Sequence, residues 1–322
     1  MDVTGTPLSV TALPELAVAK FSDTVEIDHE AHLLYIGDNW SGGLDVFDIS
    51  TEQPLYLRTI RLPGRVYGIG LARNVHKIYV GLTGSSIAII DSNPASAAVN
   101  TVVARIQTGG LGHADLMDYA PDRKRLFVAN RNDGFMVSID TTTDTIVGRV
   151  EGLGGGLEQP RFNPTDGMVY LTGNRENVLY RIDATTCELM EVLEIPDPCY
   201  PNGMAINPAT NQALLACSNR ERPRTVVWDL NKQQIAAVFE ESGCGDGAMY
   251  EPTIDRFFFA ADGFAQGPVV GIFGGNPVQF LTNVPTMKGA SWVAYDRTNE
   301  LVYSPGIVDG RPCLLSFRVP VS

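Results

Sequence analysis

The sequence predicts an all-β fold, a seven-bladed β-propeller of four-stranded antiparallel blades, and three observations carry that prediction. First, a hydrophobic triplet ending in a small residue recurs along the chain, centred on positions 35, 79, 127, 170, 214, 258 and 302. The steps between centres are 44, 48, 43, 44, 44 and 44 residues, and a strand-built period in the forties marks radial repetition. Second, an aspartate follows the third strand of each of the first five repeats: Asp48, Asp91, Asp140, Asp183 and Asp229. These are read as turn formers whose carboxylates accept nearby backbone N–H groups. Third, the last repeat supplies only three strands, at Ser291 to Tyr295, Leu301 to Ser304 and Leu314 to Val319. The missing outer strand is expected from the N-terminus, where Leu8 to Leu13 alternates as a strand does.

The whole chain, residues 1–322, is therefore read as one propeller domain. Blades begin near residues 23, 67, 115, 158, 202, 246 and 290, and residues 1–19 close the seventh blade. The best-defined blade runs from Asp115 to Gly152. A turn at Pro121 to Lys124 separates strand a from strand b, Asn132-Asp133-Gly134 is a hairpin signal, and Thr141 to Asp144 turns into strand d.

Composition limits the partners. With Lys+Arg 24 against Asp+Glu 37, the formal net charge is −13, the opposite of what a phosphate-tracking surface needs, so no nucleic acid is expected. An anionic membrane surface is disfavoured by the same balance, and no apolar run has the length of a membrane span. A small-molecule ligand is the expected partner, and the sequence sets no oligomeric state. The N-terminus lacks the basic start and apolar run of a signal peptide. The expected setting is cytoplasmic, or secreted with the signal peptide removed. The five cysteines form no C-x-x-C pair, which argues against a zinc knuckle or redox motif. Cys199 and Cys244 fall at near-equivalent places in neighbouring blades and could pair, but buried free thiols are the favoured reading.

Counting back twelve residues from each triplet centre gives one residue per blade where the chain enters the innermost strand: Asp23, Tyr67, Asp115, Glu158, Asn202, Asp246 and Ala290. Five of these seven are carboxylates or an amide. Carboxylates gathered around one axis repel, which raises the cost of ionising each. A hard cation would remove that penalty, and Ca²⁺ takes six to eight oxygen ligands at roughly 2.3–2.6 Å. Asp23, Asp115, Glu158, Asn202 and Asp246 are the candidate ligands of a divalent metal, with calcium the expected ion. The other reading is that these residues cap strand a and bond backbone amides.

Two families resemble this chain. Phe127-Val128-Ala129-Asn130 through Val137-Ser138-Ile139-Asp140 resembles the YVTN-type propeller repeat. Pro201-Asn202-Gly203-Met204-Ala205 and Gly245-Asp246-Gly247-Ala248-Met249 resemble two segments of the gluconolactonase/regucalcin (lactonase-like) propellers, and Asp23 stands where their first-blade Glu stands. The resemblance implies that Asp23, Asn202 and Asp246 bind a divalent metal, with Glu158 or Asp115 in a fourth place. It covers short segments, and that family usually has six blades rather than seven.

His113, two residues before Asp115, is a candidate general base. Arg65, Tyr67, Arg161, Tyr200, Lys288 and Trp292 lie on or beside the same entry loops, and Trp40 sits on a loop above the channel, so these are the candidate substrate contacts. The expected function is metal-assisted hydrolysis of a lactone or ester, with Asp246, Glu158 or His113 activating water. A lyase, cyclase or isomerase could use the same pocket. The alternative is a non-catalytic YVTN-type propeller that binds a ligand or protein.

Overall fold

The computed structural model describes residues 9–12 (backbone alone), 24–39 and 42–319. Asp23 and Trp40 lie outside the described residues. The strands form seven four-stranded antiparallel sheets. Their inner strands, a, are Val25–Asp28, Val66–Ala72, Met117–Ala120, Leu157–Asn163, Pro201–Asn207, Ala248–Glu251 and Ala294–Asp296. Six sheets use four consecutive strands. The seventh orders Ala294–Asp296, Leu301–Val308 and Arg311–Arg318, then takes Ser9–Ala12 as its outer strand. Ser9 pairs with Ser316 and Ala12 with Cys313, antiparallel, so the ring closes with a strand from the other end of the chain, as expected.

Burial explains the triplet repeat. In the third blade Phe127 and Ala129 of strand b pack towards the fourth blade, in one cluster with Val169 and Leu171. Leu126 and Val128, alternating with them, pack towards the second blade with Tyr79 and Ile87. Successive side chains of a strand face opposite sides of its sheet, so a strand between two blades must be apolar on both faces. Strand d is half exposed: Gln234–Phe239 alternates exposed and partly buried positions. One cluster joins the seventh blade to the first through Trp292, Leu301 and Tyr303 on one side and Leu34, Ile36 and Phe47 on the other. Each such aromatic or aliphatic side chain contributes about 1.5–3 kcal/mol by burial.

The aspartates after strand c behave as expected. Asp48 accepts from the Ser50 N–H at 2.7 Å, Asp91 from Asn93 at 2.8 Å, Asp140 from Thr142 at 2.8 Å, Asp183 from Thr185 at 2.7 Å and Asp229 from Asn231 at 3.0 Å.

Two expectations are corrected. The disulfide joins Cys199 to Cys217, with Cα atoms 4.6 Å apart, and Cys244 is a buried free thiol. The loop carrying Cys199 leads into a strand that pairs within its own blade, with Pro201 opposite Cys217. The second correction concerns register in the seventh blade. There Tyr295 pairs with Val302, whereas in the fourth Phe162 pairs with Val169. Val302 is thus the equivalent of Val169 rather than of the triplet centre, Tyr170. The residue entering strand a is therefore Ser291, not Ala290. Hydrogen bonding agrees, since Gly203 N–H donates to the Asp246 carbonyl at 2.9 Å and Gly247 N–H donates to that of Ser291 at 2.8 Å.

Candidate functional site at the channel mouth

The inner strands run from an entry face, bearing the d–a and b–c loops, to an exit face bearing the a–b turns. On the entry face a cavity of about 320 Å³ is lined by Tyr67, His113, Asp115, Leu116, Arg131, Glu158, Asp246 and Trp292. Six of these are residues singled out from the sequence. They come from different blades because each follows or begins the approach to an inner strand.

The polar groups are interlocked. His113 Nε2 lies 3.1 Å from Asp115 Oδ2. The His113 ring stacks on Tyr67 with centroids 3.9 Å apart and planes 15° from parallel. Arg131 grips Glu158 with Nη1 at 2.7 Å from Oε2 and Nη2 at 2.5 Å from Oε1, and it stands 3.8 Å from Asp115. Glu158 is 1% exposed, so its charge depends on that two-pronged contact. Burial pushes the Asp246 carboxyl up to about 7; Asp262 and Asp115 add to the rise, while Arg131 and a hydrogen bond from Asn202 oppose it. Burial also raises Asp262. Arg131 stands on the b–c loop, just after strand b of the third blade. Its grip on Glu158 and the influence of Asp262 leave no periodic signal in the sequence.

Glycines let these residues crowd the axis. A Cβ on Gly203 would lie 2.3 Å from the Asp246 carbonyl oxygen, and one on Gly247 would lie 2.5 Å from the Trp292 indole. Inter-blade packing thus accounts for the glycine after Asn202 and the glycine after Asp246.

The candidate cation ligands can be tested against this geometry. Both Glu158 oxygens face Arg131. Asp115 is engaged by His113. Asn202 Oδ1 accepts from Asn174 Nδ2 at 2.6 Å, and its own Nδ2 donates to the Gly245 carbonyl at 3.2 Å. Among the described residues no three His, Cys, Asp or Glu side chains converge as a metal site. Among the described candidates, the Glu158 oxygens and the Asn202 carbonyl oxygen face protein donors, so these two residues do not fit the role of ligands to a hard cation.

Not every candidate contact reaches the cavity. Arg65 and Lys288 are exposed on the entry loops, and Tyr200, 40% exposed, sits on the rim with its carbonyl accepting from Asn174 at 2.9 Å. Arg161 is not on the entry face, which corrects the sequence reading. It lies within strand a, opposite the triplet centre Tyr170, in the register that Glu26 and Asp118 hold in their own blades. From there Arg161 Nε donates to the Met204 carbonyl at 2.9 Å, Nη1 to Asp118 at 3.2 Å and Nη2 to the Ala248 carbonyl at 3.4 Å. Its guanidinium therefore ties the inner strands of the third, fifth and sixth blades across the channel. Trp292 lines both the entry cavity and the chamber below it.

No protein-family model matches the chain, and no curated protein matches it. Solved structures do share its fold. A chain of the mitotic checkpoint complex superposes with a TM-score of 0.76 at 12% identity, over 99% of this chain and 93% of that one. The structure of U3-55K superposes with a TM-score of 0.78 at 9% identity, over 98% of this chain and 100% of that one. At such identities the likeness establishes the class, a seven-bladed β-propeller, and nothing about activity.

Proposed function

We propose that the chain is a small-molecule enzyme working by general acid–base chemistry in the entry cavity, with hydrolysis of a lactone or related ester as the favoured reaction. One observation carries the reading: a His–Asp pair and a buried carboxyl group, Asp246, that burial pushes up to about 7 line the same cavity. Catalytic acids and bases work best with pKa values close to the operating pH. A cavity of about 320 Å³ suits a compact ligand. Tyr67 and Trp292 offer flat faces to its carbon skeleton, and the carboxyl groups accept its hydroxyls.

In this mechanism Asp115 accepts the His113 Nε2–H and fixes the tautomer, which leaves the Nδ1 lone pair as base. His113 takes a proton from water as the water oxygen bonds to the ester carbonyl carbon. Protonated Asp246 gives its proton to the leaving alkoxide as the C–O bond breaks. Arg131 and Glu158 form a rigid polar wall that holds the substrate. The same acid and base would serve a lyase or isomerase. The lactonase-like and YVTN-type resemblances support a propeller with a mouth-facing site. The Cys199–Cys217 disulfide fits an oxidising compartment, the secreted one of the two settings.

A panel of lactones and esters assayed by proton release tests the reading. His113→Asn and Asp246→Asn should each lower kcat/KM for the responding substrate by about 10²–10⁴-fold. Because the acid must be protonated, activity should fall as pH rises above about 7. A panel with no turnover, together with ligands that bind only outside the cavity, favours a binding propeller. That second reading has its own support in the neighbours named above, one of them a component of a protein assembly.

A further inference from the structure

The opposite end of the channel opens into a larger chamber of about 760 Å³. Its wall breaks the repeat. In the third to sixth blades the first residue of the a–b turn is Pro121, Pro164, Pro208 and Pro252, read from the strand register. Proline suits that position because its fixed φ matches the turn. In the seventh, first and second blades, which are consecutive around the ring, the register places Arg297, His29 and Arg73 there instead. All three line the chamber.

These groups retain binding capacity. Arg297 donates through Nε to Glu251 at 2.9 and 3.1 Å, and neither of its terminal nitrogens has a hydrogen bond among the described residues. Arg73 donates through Nη2 to the Ile27 carbonyl at 2.6 Å and stands 3.3 Å from Asp28. His29 Nδ1 is buried with no hydrogen-bond partner among the described residues. Burial is the leading cause that lowers the His29 pKa; Arg297 and Arg73 lower it further, while Glu251 and Asp296 raise it. Carboxylates also face the chamber, namely Glu26, Glu30 and Asp118, together with His76. Asp118 is paired with Arg161 at 3.2 Å, burial raises Glu26 to about 7, and Glu30 is exposed to solvent.

We propose that the exit chamber is a second ligand site, independent of the entry cavity, that takes a small anion bearing a carboxylate or phosphate group on Arg297, Arg73 and His29. A planar guanidinium fork with unengaged terminal nitrogens matches the two oxygens of either group.

Calorimetric titration of the full chain at pH 6.5 with inorganic phosphate, and separately with succinate, tests this. Saturable binding in one arm identifies the preferred anion, and the His29 imidazole resonances should move as its pKa rises. Arg73→Gln should weaken binding about tenfold or more, the size expected for one charge-assisted contact. Arg297→Gln leaves buried Glu251 without its partner and could unfold the blade. Asn74→Asp therefore serves as the second variant: it sets a carboxylate at the chamber lip and should abolish binding with the fold intact. His113→Asn, at the far end of the channel, should leave binding unchanged. Failure of both anions to saturate, or equal affinity in wild type, Arg73→Gln and Asn74→Asp, would overturn the proposal.

Discussion

Asp246 shows how one residue's chemistry depends on neighbours distant in sequence. Its carboxyl is raised to about 7 chiefly by burial, and Asp262 and Asp115 add to the rise from two other positions of the chain. The sequence made the column of oxygen-bearing residues legible because the repeat spacing is nearly constant. It did not make legible what each residue bonds. Asn202 was expected to ligate, yet its carbonyl oxygen is taken by Asn174 from the next loop back. Such contacts depend on loop conformation, which no period encodes. Calcium titration of metal-stripped protein checks this at the residue scale. An ion bound only by the native state would raise the melting temperature. With the Glu158 and Asn202 oxygens taken by protein donors, the melting temperature should stay unchanged.

At the scale of the element, the strands were legible because inter-blade burial forces apolar triplets, and the aspartate turns were legible because Asp bonds backbone two residues on. Two kinds of detail were not. Arg161 pairs with the triplet centre Tyr170, the register that Glu26 and Asp118 hold in their own blades, so it faces the channel rather than the rim, a placement that nearness to Glu158 in sequence does not reveal. The disulfide was hidden because equivalence between blades is not proximity: Cys199 lies beside the b strand of its own blade, across from Cys217. The close approach of inner strands makes its own prediction. Gly247→Ala places a methyl group 2.5 Å from Trp292 and 3.0 Å from the Ser291 carbonyl oxygen. Overpacking of this kind costs about 1–3 kcal/mol. Chemical denaturation should show that loss, with Trp292 fluorescence altered in the native state.

Across the whole molecule, closure by Ser9–Ala12 and the interlocked inter-blade cores make the ring one mechanical frame around a channel. Buried acids set its pH response. Burial is the leading cause that raises Glu26 to about 7, Asp45 to about 6 and Asp246 to about 7. A carboxyl whose folded pKa exceeds its unfolded value of about 4 binds more protons when folded, so its contribution to stability falls as pH rises between those values. The turn aspartates act oppositely. Hydrogen bonding from Arg125 is the leading cause that holds Asp140 at about 2, and its stabilisation is lost only in stronger acid. The melting temperature should therefore be higher at pH 5.5 than at pH 8, by thermal unfolding at constant ionic strength. Its fall on further acidification belongs below about pH 4.

The central claim is that the entry cavity holds a carboxyl group poised to exchange a proton at neutral pH. Carbon-13 NMR titration of the Asp246 carboxyl in the full chain tests it most directly. A midpoint of about 7 agrees with the account. A midpoint near the ordinary carboxylate value of about 4 would contradict it, because Asp246 would then carry no proton to give.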